Sequence, residues 1–428
     1  MKITVIGAGS TYTPELVTGF HHVREALTVD ELTLMDIDQD RLDNVGAFAE
    51  RILKHHDLHA HVTRTTDLDE AVTDADAVLI QIRVGGQAMR LLDETIPLRF
   101  NQIGQETTGA GGAMKALRTV PVVLHIAERT KQLAKPGAWI VDFTNPVGIV
   151  TRALKDNGYK AVGLCNYAIG IQRWAAQLLE VEPKRVIANP TGLNHFSWTR
   201  SIRLDGDEVL PSILHDHIDT VVERFGFPRP LIDLVGAIPS YYLQWYYANS
   251  SRLEALRTEK PRAQAVSEIE TELLQMYRNP DLIERPPLLE QRGGAYYSEA
   301  AAELLASLLG SAPGQHVINV QNRGLYPLLA DDDIVETLCE VSRDTISPTP
   351  QAPMPPYILG PVQHVLSYER QIAKAAQTGD SDDVRRALLT HPLIAQHDTV
   401  ERMWPELLEG SRRYLPQFTE KAARCSAR

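Results

Sequence analysis

The sequence predicts an α/β protein in two parts: a doubly wound, largely parallel sheet over residues 1–195, then an α-rich α+β domain over residues 196–428. Two observations predict this plan. In the first part, short β-branched apolar runs alternate with segments of helical period, as in repeated βαβ units. Beyond His195 the pattern changes to long amphipathic segments, which indicates a second domain made mainly of helices.

The first βαβ unit is predicted from a strand at Lys2–Ile6, a helix over about residues 14–26 and a second strand over residues 31–36. Three later apolar runs are short enough to be buried parallel strands: residues 77–82, residues 138–143 and Ala161–Leu164. A helix is predicted between them over residues 116–133. The carboxyl ends of such strands form the ligand-binding edge of an open α/β sheet.

The second part is predicted to begin with a strand at Phe196–Leu204, at the edge of a sheet. Amphipathic helices are then expected over residues 263–277, 298–309 and 367–376. The proline-rich residues 347–356 are expected to form an extended loop and not a domain linker, because apolar-periodic segments continue after them.

Composition excludes several classes of function. The net charge of −12 is spread along the 428 residues without clusters of Lys and Arg, which argues against nucleic acid as a partner. The absence of a long apolar run and the short, glycine-interrupted N-terminal run predict no membrane span and a cytoplasmic protein. The three cysteines, Cys165, Cys339 and Cys425, are too few for a disulfide framework and suit a reducing compartment.

A glycine-rich loop with Gly7, Gly9 and Ser10 follows the first predicted strand. Such glycines allow the backbone to approach a pyrophosphate, and the next helix offers free N–H groups at its N-terminus. Tyr12 replaces the third glycine of the usual fingerprint, so a tight turn without a ligand is the alternative. Asp36 ends the second strand, where a carboxylate binds the ribose of NAD, and the loop therefore predicts a Rossmann-like NAD site.

Cys165 and His195 each follow a short apolar run, and Cys165 is expected at the ligand-binding edge of the sheet. A thiolate and an imidazole with open positions beside them suit a divalent ion such as Mn²⁺, Fe²⁺, Co²⁺ or Ni²⁺. The alternative is that both side chains only pack in the core. The denser group of histidines over residues 55–61 is predicted to be a solvated helix end.

Three further segments allow two interpretations each. Asn145 ends a predicted strand, where its amide can bind sugar hydroxyls, but Asn-Pro is also a turn signal. Residues 104–112 form either a mobile loop that closes over a polyol or an irregular connection before a helix. The aromatic residues 241–247 indicate a packed helix face, unless a nearby metal and arginine make one phenol a base.

Together these segments resemble the family 4 glycoside hydrolases, and within them the 6-phospho-β-glucosidase branch. The motifs occur in the family's order along nearly the whole chain: residues 6–16, 82–85, 104–109, 144–146, 165–166, 192–195, 242–246 and 262–263, with Arg90 after the second. Family 4 is a known NAD-dependent exception to the two-carboxylate scheme of glycoside hydrolysis.

The resemblance implies that Cys165 and His195 hold a divalent metal, typically Mn²⁺, and that Tyr242 is the catalytic base. It also implies that Arg90 and Asn145 contact a phosphorylated sugar. The implied reaction is oxidation of the sugar at carbon 3 by NAD⁺, metal-assisted removal of the C2 proton, elimination, addition of water and re-reduction. Family members usually form dimers or tetramers, so a homodimer or homotetramer is expected.

The resemblance further implies that Arg262 contacts the substrate, at its phosphate, which an arginine can bind with two hydrogen bonds. Asn166 stands where family members that cleave α-linked substrates carry an aspartate that serves as acid. An amide cannot donate that proton, so the β-linked branch is favoured and the acid is unassigned. The chain has Asn322-Arg323-Gly324 where the family commonly has Asn-Asn-Gly.

Other functions are compatible with parts of this pattern. An NAD-dependent 2-hydroxy-acid dehydrogenase of the lactate and malate type shares the two-domain plan, but predicts net NADH formation and no metal. An NAD-sensing protein would have no use for Tyr242 and Arg262. Within the family, an α-linked, unphosphorylated or hexuronide substrate is the alternative.

Overall fold

The computed structural model describes residues 1–293 and 296–418. Its strands are β1 (Lys2–Ile6), β2 (Glu31–Met35), β3 (His61–Thr65), β4 (Ala77–Ile80), β5 (Trp139–Asp142), β6 (Ala161–Leu164), β7 (Val186–Leu193), β8 (Phe196–Leu204), β9 (Asp207–Glu208), β10 (Ile238–Pro239), β11 (Gly314–Gln321), β12 (Ile334–Ser342) and β13 (Thr345–Pro348).

Helices connect these strands and cover both sheets. They are α1 (Thr13–His22), α2 (Gln39–His55), α3 (Leu68–Val72), α4 (Gly86–Thr95), α5 (Gly109–Leu133), α6 (Val147–Asp156), α7 (Tyr167–Leu178), α8 (Leu210–Asp216), α9 (Ile218–Phe225), α10 (Arg229–Val235), α11 (Gln244–Tyr247), α12 (Asn249–Thr258), α13 (Arg262–Tyr277), α14 (Leu288–Gln291), α15 (Tyr297–Leu309), α16 (Pro356–Thr378), α17 (Ser381–Thr390) and α18 (His397–Ser411). None of these described helices is long and apolar enough to cross a membrane.

The main sheet has nine strands in the order β13-β12-β11-β6-β5-β4-β1-β2-β3. The six strands from β6 to β3 are parallel, and β11 to β13 continue the sheet antiparallel. The parallel part has the strand order of a dinucleotide-binding fold, so the predicted doubly wound fold is confirmed. Strands β4, β5 and β6 are buried along their full length, which explains their continuous apolar runs.

A smaller sheet contains β7, β8, β9 and β10. Strand β8 lies between β7 and β10, so the expectation that Phe196–Leu204 is an edge strand was wrong. The reason is the two-residue strand β10, which is too short to be recognised from periodicity but pairs Ile238 with Thr199.

In the glycine-rich segment, residues 104–108 form an irregular connection before a helix, which was one of the two expectations, whereas Gly109–Gly112 already belong to the buried first turn of α5. A side chain at Gly111 would place its Cβ 2.4 Å from the carbonyl oxygen of Gln105 and 2.5 Å from that of Asp93. Close backbone packing, and not a mobile loop, therefore accounts for this glycine. The proline-rich residues are extended as expected, between the end of β13 and the start of α16.

The two parts of the chain share their cores. Strand β11 pairs with β6, helix α15 packs on α1, and α16 packs on α5 and α6. The expected boundary between residues 195 and 196 falls in the hairpin between β7 and β8, and it stays a prediction.

Candidate functional site

A cleft of about 1730 Å³ opens at the carboxyl ends of the parallel strands. Eleven residues are predicted to belong to the site, and nine of them line this cleft: Gly7, Gly9, Ser10, Asp36, Arg90, Asn145, Asn166, Tyr242 and Arg262. The other two, Cys165 and His195, are buried directly behind this lining, next to Asn166 and Tyr242. The structure therefore brings the predicted residues together.

The glycine loop packs tightly between two strands at one end of the cleft. Gly7 has φ +86°, and a Cβ there would lie 2.8 Å from the carbonyl oxygen of Gln81. The amide of Gly9 donates to Asp36 Oδ2 at 2.8 Å, so this carboxylate fixes the loop. The side chain of Tyr12, the N-cap residue of α1, makes no capping hydrogen bond, and Ser10 Oγ accepts from the Tyr12 amide at 3.3 Å. The loop and helix end suit a dinucleotide pyrophosphate.

Two arginines and a glutamate that belong to no motif of the sequence line the same end of the cleft. The Arg292 guanidinium lies 4.2 Å above the ring of Tyr12, the residue at the missing glycine position. Arg292 also donates to Glu270 at 2.6 Å, and Arg41 lies 3.8 Å from the same carboxylate while donating to the carbonyl of Gly9 at 3.1 Å. Only the fold brings these distant residues together.

The predicted metal ligands meet at the base of the cleft. Cys165 Sγ lies 3.4 Å from His195 Nε2, as expected for two ligands of one ion, and His195 Nδ1 has no hydrogen-bond partner among the described residues. No group of three or more potential ligand side chains occurs in the described part of the chain. Cys339 is buried in the core, and Cys425 lies outside the described residues.

Burial sets the protonation of this pair. It raises the pKa of the Cys165 thiol to about 12, with Glu336 adding to the effect, and lowers the pKa of His195 to about 3. Without a cation the cysteine is therefore a thiol and the histidine is neutral. A neutral imidazole is ready to coordinate, and a divalent ion displaces the proton of a thiol that it binds, so the pair fits a metal.

Tyr242 contacts this pair directly. Its ring stacks on the His195 ring, with centroids 3.5 Å apart and planes at 15°. Burial raises its pKa well above 10, and the charges of Cys165 and Glu106 act in the same direction. The phenol is consequently protonated in the protein alone, and a nearby cation is needed to make it a base.

A buried cluster of charges forms another wall of the cleft around Glu106. Lys115 Nζ lies 2.7 Å from Glu106 Oε2, Arg83 also binds this carboxylate, and Arg90 lies 3.4 Å from it. Arg90 donates in addition to Glu94 at 2.7 Å. Three basic side chains therefore face two carboxylates, so the cluster carries a net positive charge when Lys115 is protonated, which favours an anionic substrate.

Burial and the neighbouring charges together determine the protonation of Glu106 and Lys115 in this cluster. Burial alone would raise the pKa of Glu106, but Arg83, Lys115 and Arg90 hold it well below its ordinary value. Burial and the nearby Arg83 lower the pKa of Lys115 to about 7. Lys115 is not predicted from the sequence, because a lysine inside a long helix carries no local signal.

The remaining predicted residues occupy different positions. Arg262 lines the cleft, and its guanidinium donates to the carbonyls of Gln291 and Arg292 at 2.8 and 2.9 Å. Asn322 is buried in the turn after β11, where its side chain binds the backbone of Tyr326. Neither it nor the two residues after it are among the described residues that line the cleft.

The histidine cluster lies away from the cleft. Helix α2 ends at His55, and His59 is exposed, as expected for a solvated helix end. The rings of His21 and His56 stack with centroids 4.3 Å apart.

Two family models match the chain. The model of the family 4 glycosyl hydrolases matches residues 2–181, and the model of that family's C-terminal domain matches residues 191–394. The chain belongs to family 4 of the glycosyl hydrolases. It is therefore a glycosidase, and the resemblance found in its motifs is confirmed.

Individual relatives agree along the whole chain. A protein of Bacillus subtilis named "probable 6-phospho-beta-glucosidase" is 38% identical, with 98% of both chains covered. The 6-phospho-beta-glucosidase structure from Thermotoga maritima with manganese, NAD⁺ and glucose-6-phosphate is 33% identical, with a TM-score of 0.90, and covers 97% of this chain and 99% of its own. Malate dehydrogenase from Salinibacter ruber, 16% identical with a TM-score of 0.52 over 90% of this chain and 98% of its own, shares the fold alone.

Proposed function

We propose that this family 4 glycosidase hydrolyses 6-phospho-β-glucosides, such as phosphorylated cellobiose-type disaccharides, with NAD and a divalent metal. Mn²⁺ is the expected metal, with Co²⁺, Ni²⁺ or Fe²⁺ as substitutes. The observation that carries the proposal is the contact of Cys165, His195 and Tyr242 at the base of a cleft that begins at the glycine loop.

When bound, NAD⁺ accepts and later returns a hydride at carbon 3 of the sugar, and the metal polarises the sugar oxygen that it binds. Gly7, Gly9, Ser10 and Asp36 are proposed to hold the dinucleotide, and Cys165 and His195 the metal. Oxidation at carbon 3 makes the C2–H acidic, and Tyr242 is proposed to remove that proton. Its contact with His195 supports this role, because a cation bound by that histidine would lower the pKa of the phenol.

Arg90, Asn145, Asn166 and Arg262 are proposed to bind the sugar phosphate. Each of them lines the cleft, and Asn145 Oδ1 has no protein hydrogen-bond partner among the described residues. The positive excess around Glu106 favours a phosphorylated sugar over an uncharged one.

Asn166 favours a β-linked substrate. It follows the metal cysteine, at the position where an aspartate would donate a proton to an α-linked leaving group, and an amide lacks that proton. An enzyme of this family that acts on α-linked or unphosphorylated glycosides is the second candidate. A 2-hydroxy-acid dehydrogenase is not favoured, because that class gives no role to the Cys165 and His195 pair.

We also expect a homodimer or homotetramer in the cytoplasm. We further propose that residue 195 divides the NAD-binding part of the chain from the α-rich part, as two parts that share their cores and do not fold separately. Light scattering during size-exclusion chromatography measures the oligomeric state directly. A single monomeric species at micromolar concentration would contradict the first expectation.

The decisive experiment is release of the chromophore from 4-nitrophenyl 6-phospho-β-glucoside by protein stripped of bound cofactor, with Mn²⁺ and reducing agent. Release that requires added NAD⁺ without net NADH accumulation is expected, because the hydride returns in each cycle. The α-anomer and the unphosphorylated glucoside are the matched substrates. Faster release from either of them, or NADH accumulation from a 2-hydroxy acid, would contradict the proposal.

A further inference from the structure

Glu336 is a buried carboxylate next to the proposed metal ligands. It lies on β12 with 2% of its surface exposed. Its Oε1 accepts from Asn194 Nδ2 at 2.9 Å, and its Oε2 accepts from Ser197 Oγ at 3.2 Å. Asn319 is a third neutral neighbour, and burial raises the pKa of Glu336 to about 7. A carboxylate that is buried without a cationic partner is energetically costly, and a cation bound nearby would compensate its charge.

The partners of Glu336 surround the turn that carries His195. Leu193 pairs with Phe196, so Asn194 and His195 form a two-residue turn between β7 and β8. His195 has φ +61°, a conformation that non-glycine residues keep only when their surroundings hold them. Glu336 binds the residue before His195 and the residue two positions after it. It thereby fixes the turn to the main sheet through β12.

The same contacts reach the second ligand. The Asn194 side chain, which donates to Glu336, lies near the Cys165 thiol and lowers its pKa, whereas the charge of Glu336 raises it. A chain of contacts therefore runs from Glu336 through Asn194 to Cys165, while Asn194 is covalently joined to His195. Carboxylates that orient metal ligands in this way commonly strengthen metal binding.

The charges of the proposed metal site also favour a role for Glu336. A divalent ion held by one thiolate and one neutral imidazole retains one uncompensated positive charge. Within the described residues, Glu336 is the buried carboxylate joined by hydrogen bonds to the turn of His195. We propose that Glu336 is the positioning residue of the metal site, holding the Asn194–His195 turn and supplying the second negative charge that a divalent ion requires. The inference rests on the proposed function, because it assumes that Cys165 and His195 bind a metal.

Isothermal titration of Mn²⁺ into the NAD⁺-loaded protein tests this role without using activity. Glu336→Gln keeps the shape of the side chain and removes its charge, and it should raise the Kd for Mn²⁺ by about 10- to 100-fold. Glu340→Gln makes the same change at an exposed position of β12 and should leave the Kd within about twofold of wild type. Cys165→Ser provides the scale for loss of a direct ligand.

Two further measurements distinguish a specific effect of Glu336 on the metal site from a general loss of stability. The NAD⁺ dissociation constant and the thermal midpoint of the metal-free protein should be little changed in Glu336→Gln. Ser197→Ala, which keeps the charge and removes one donor, should weaken Mn²⁺ binding less than Glu336→Gln does. A Kd for Mn²⁺ within twofold of wild type in Glu336→Gln, or equal weakening of NAD⁺ binding, would overturn the inference alone. Absence of Mn²⁺ binding in the wild type would instead overturn the proposed function.

Discussion

Tyr242 illustrates at the scale of one residue how a side chain depends on its neighbours. Its phenol is protonated in the protein alone, yet it lies against the ring of a proposed metal ligand. Tyr242→Phe should reduce turnover of 4-nitrophenyl 6-phospho-β-glucoside by at least about 100-fold, because a general base is lost. NAD⁺ and Mn²⁺ affinities, measured by titration calorimetry, should stay near wild type.

The matched control is Tyr247→Phe, a tyrosine of the same segment whose hydroxyl binds Trp198 at 3.0 Å outside the cleft lining. It should retain turnover. Normal turnover in Tyr242→Phe would remove this phenol from the base role.

His391 gives a prediction for the pH dependence of stability. It is fully buried, its Nδ1 accepts from the Leu393 amide at 3.2 Å, and its Nε2 faces the Thr108 hydroxyl at 3.2 Å. Burial lowers its pKa to about 3. In addition, a proton on Nδ1 would point at the N–H of Leu393, which now donates to that nitrogen. Because the pKa in the unfolded chain is higher, about 6.5, the unfolded state binds an extra proton between these values.

This histidine therefore stabilises the fold fully above pH 6.5 and progressively less as the pH falls towards 3. Its share of the loss between pH 7.5 and 5.5 should be about 1.4 kcal/mol in the free energy of unfolding. In urea denaturation, the change in the free energy of unfolding between the two pH values should be smaller by that amount in His391→Gln than in wild type. The substitution His59→Gln, at an exposed histidine, should leave this change unaltered. Equal pH differences in wild type and His391→Gln would contradict the assignment.

At the scale of elements, an ion pair joins α4, which carries Arg90, to α5. Arg118 donates to both carboxylate oxygens of Asp93 at 3.0 and 2.6 Å, and both residues are at most 2% exposed. Removing one partner leaves the other charge buried and unpaired. Arg118→Met should therefore lower the free energy of unfolding at pH 7.5 by about 3 kcal/mol in urea denaturation.

Arg129→Met is the control on the same helix. Arg129 pairs with Asp69 at 2.6 Å with the same forked geometry, but the Arg129 and Asp69 side chains are 28% and 53% exposed. Its loss should cost less than about 1 kcal/mol. Similar costs for the two substitutions would mean that burial does not determine the strength of these pairs.

The elements also explain which features the sequence could predict. Strands such as β1 and β6 were located correctly, because continuous burial requires continuous apolar runs. The start of α5 was placed too late, since glycines are poor helix formers and burial against neighbouring backbone overrides that preference. Cys165 and Tyr242 were selected mainly through family motifs, whereas Lys115 and Glu336 carry no local signal that separates them from ordinary helix and strand residues.

At the scale of the whole molecule, the second part of the chain completes the first. Ile318 of β11 pairs with Leu164 of β6 in the main sheet. This pairing joins strands that are about 150 residues apart in the chain. Apolar periodicity can indicate that a segment is a strand, but it does not indicate which other strand pairs with it. The sequence therefore predicted two domains without indicating that they share a sheet.

This sharing predicts that residues 1–195 do not fold alone. One core joins α5 and α6 to α16, and the other joins the parallel strands and α1 to α15. Cutting after residue 195 would expose both apolar faces and leave β6 as a sheet edge. The 1–195 fragment should bind a hydrophobic dye and lose urea cooperativity and near-ultraviolet circular dichroism, whereas the full chain keeps both signals. A cooperative transition with native-like near-ultraviolet dichroism in the fragment would instead establish an independent N-terminal domain.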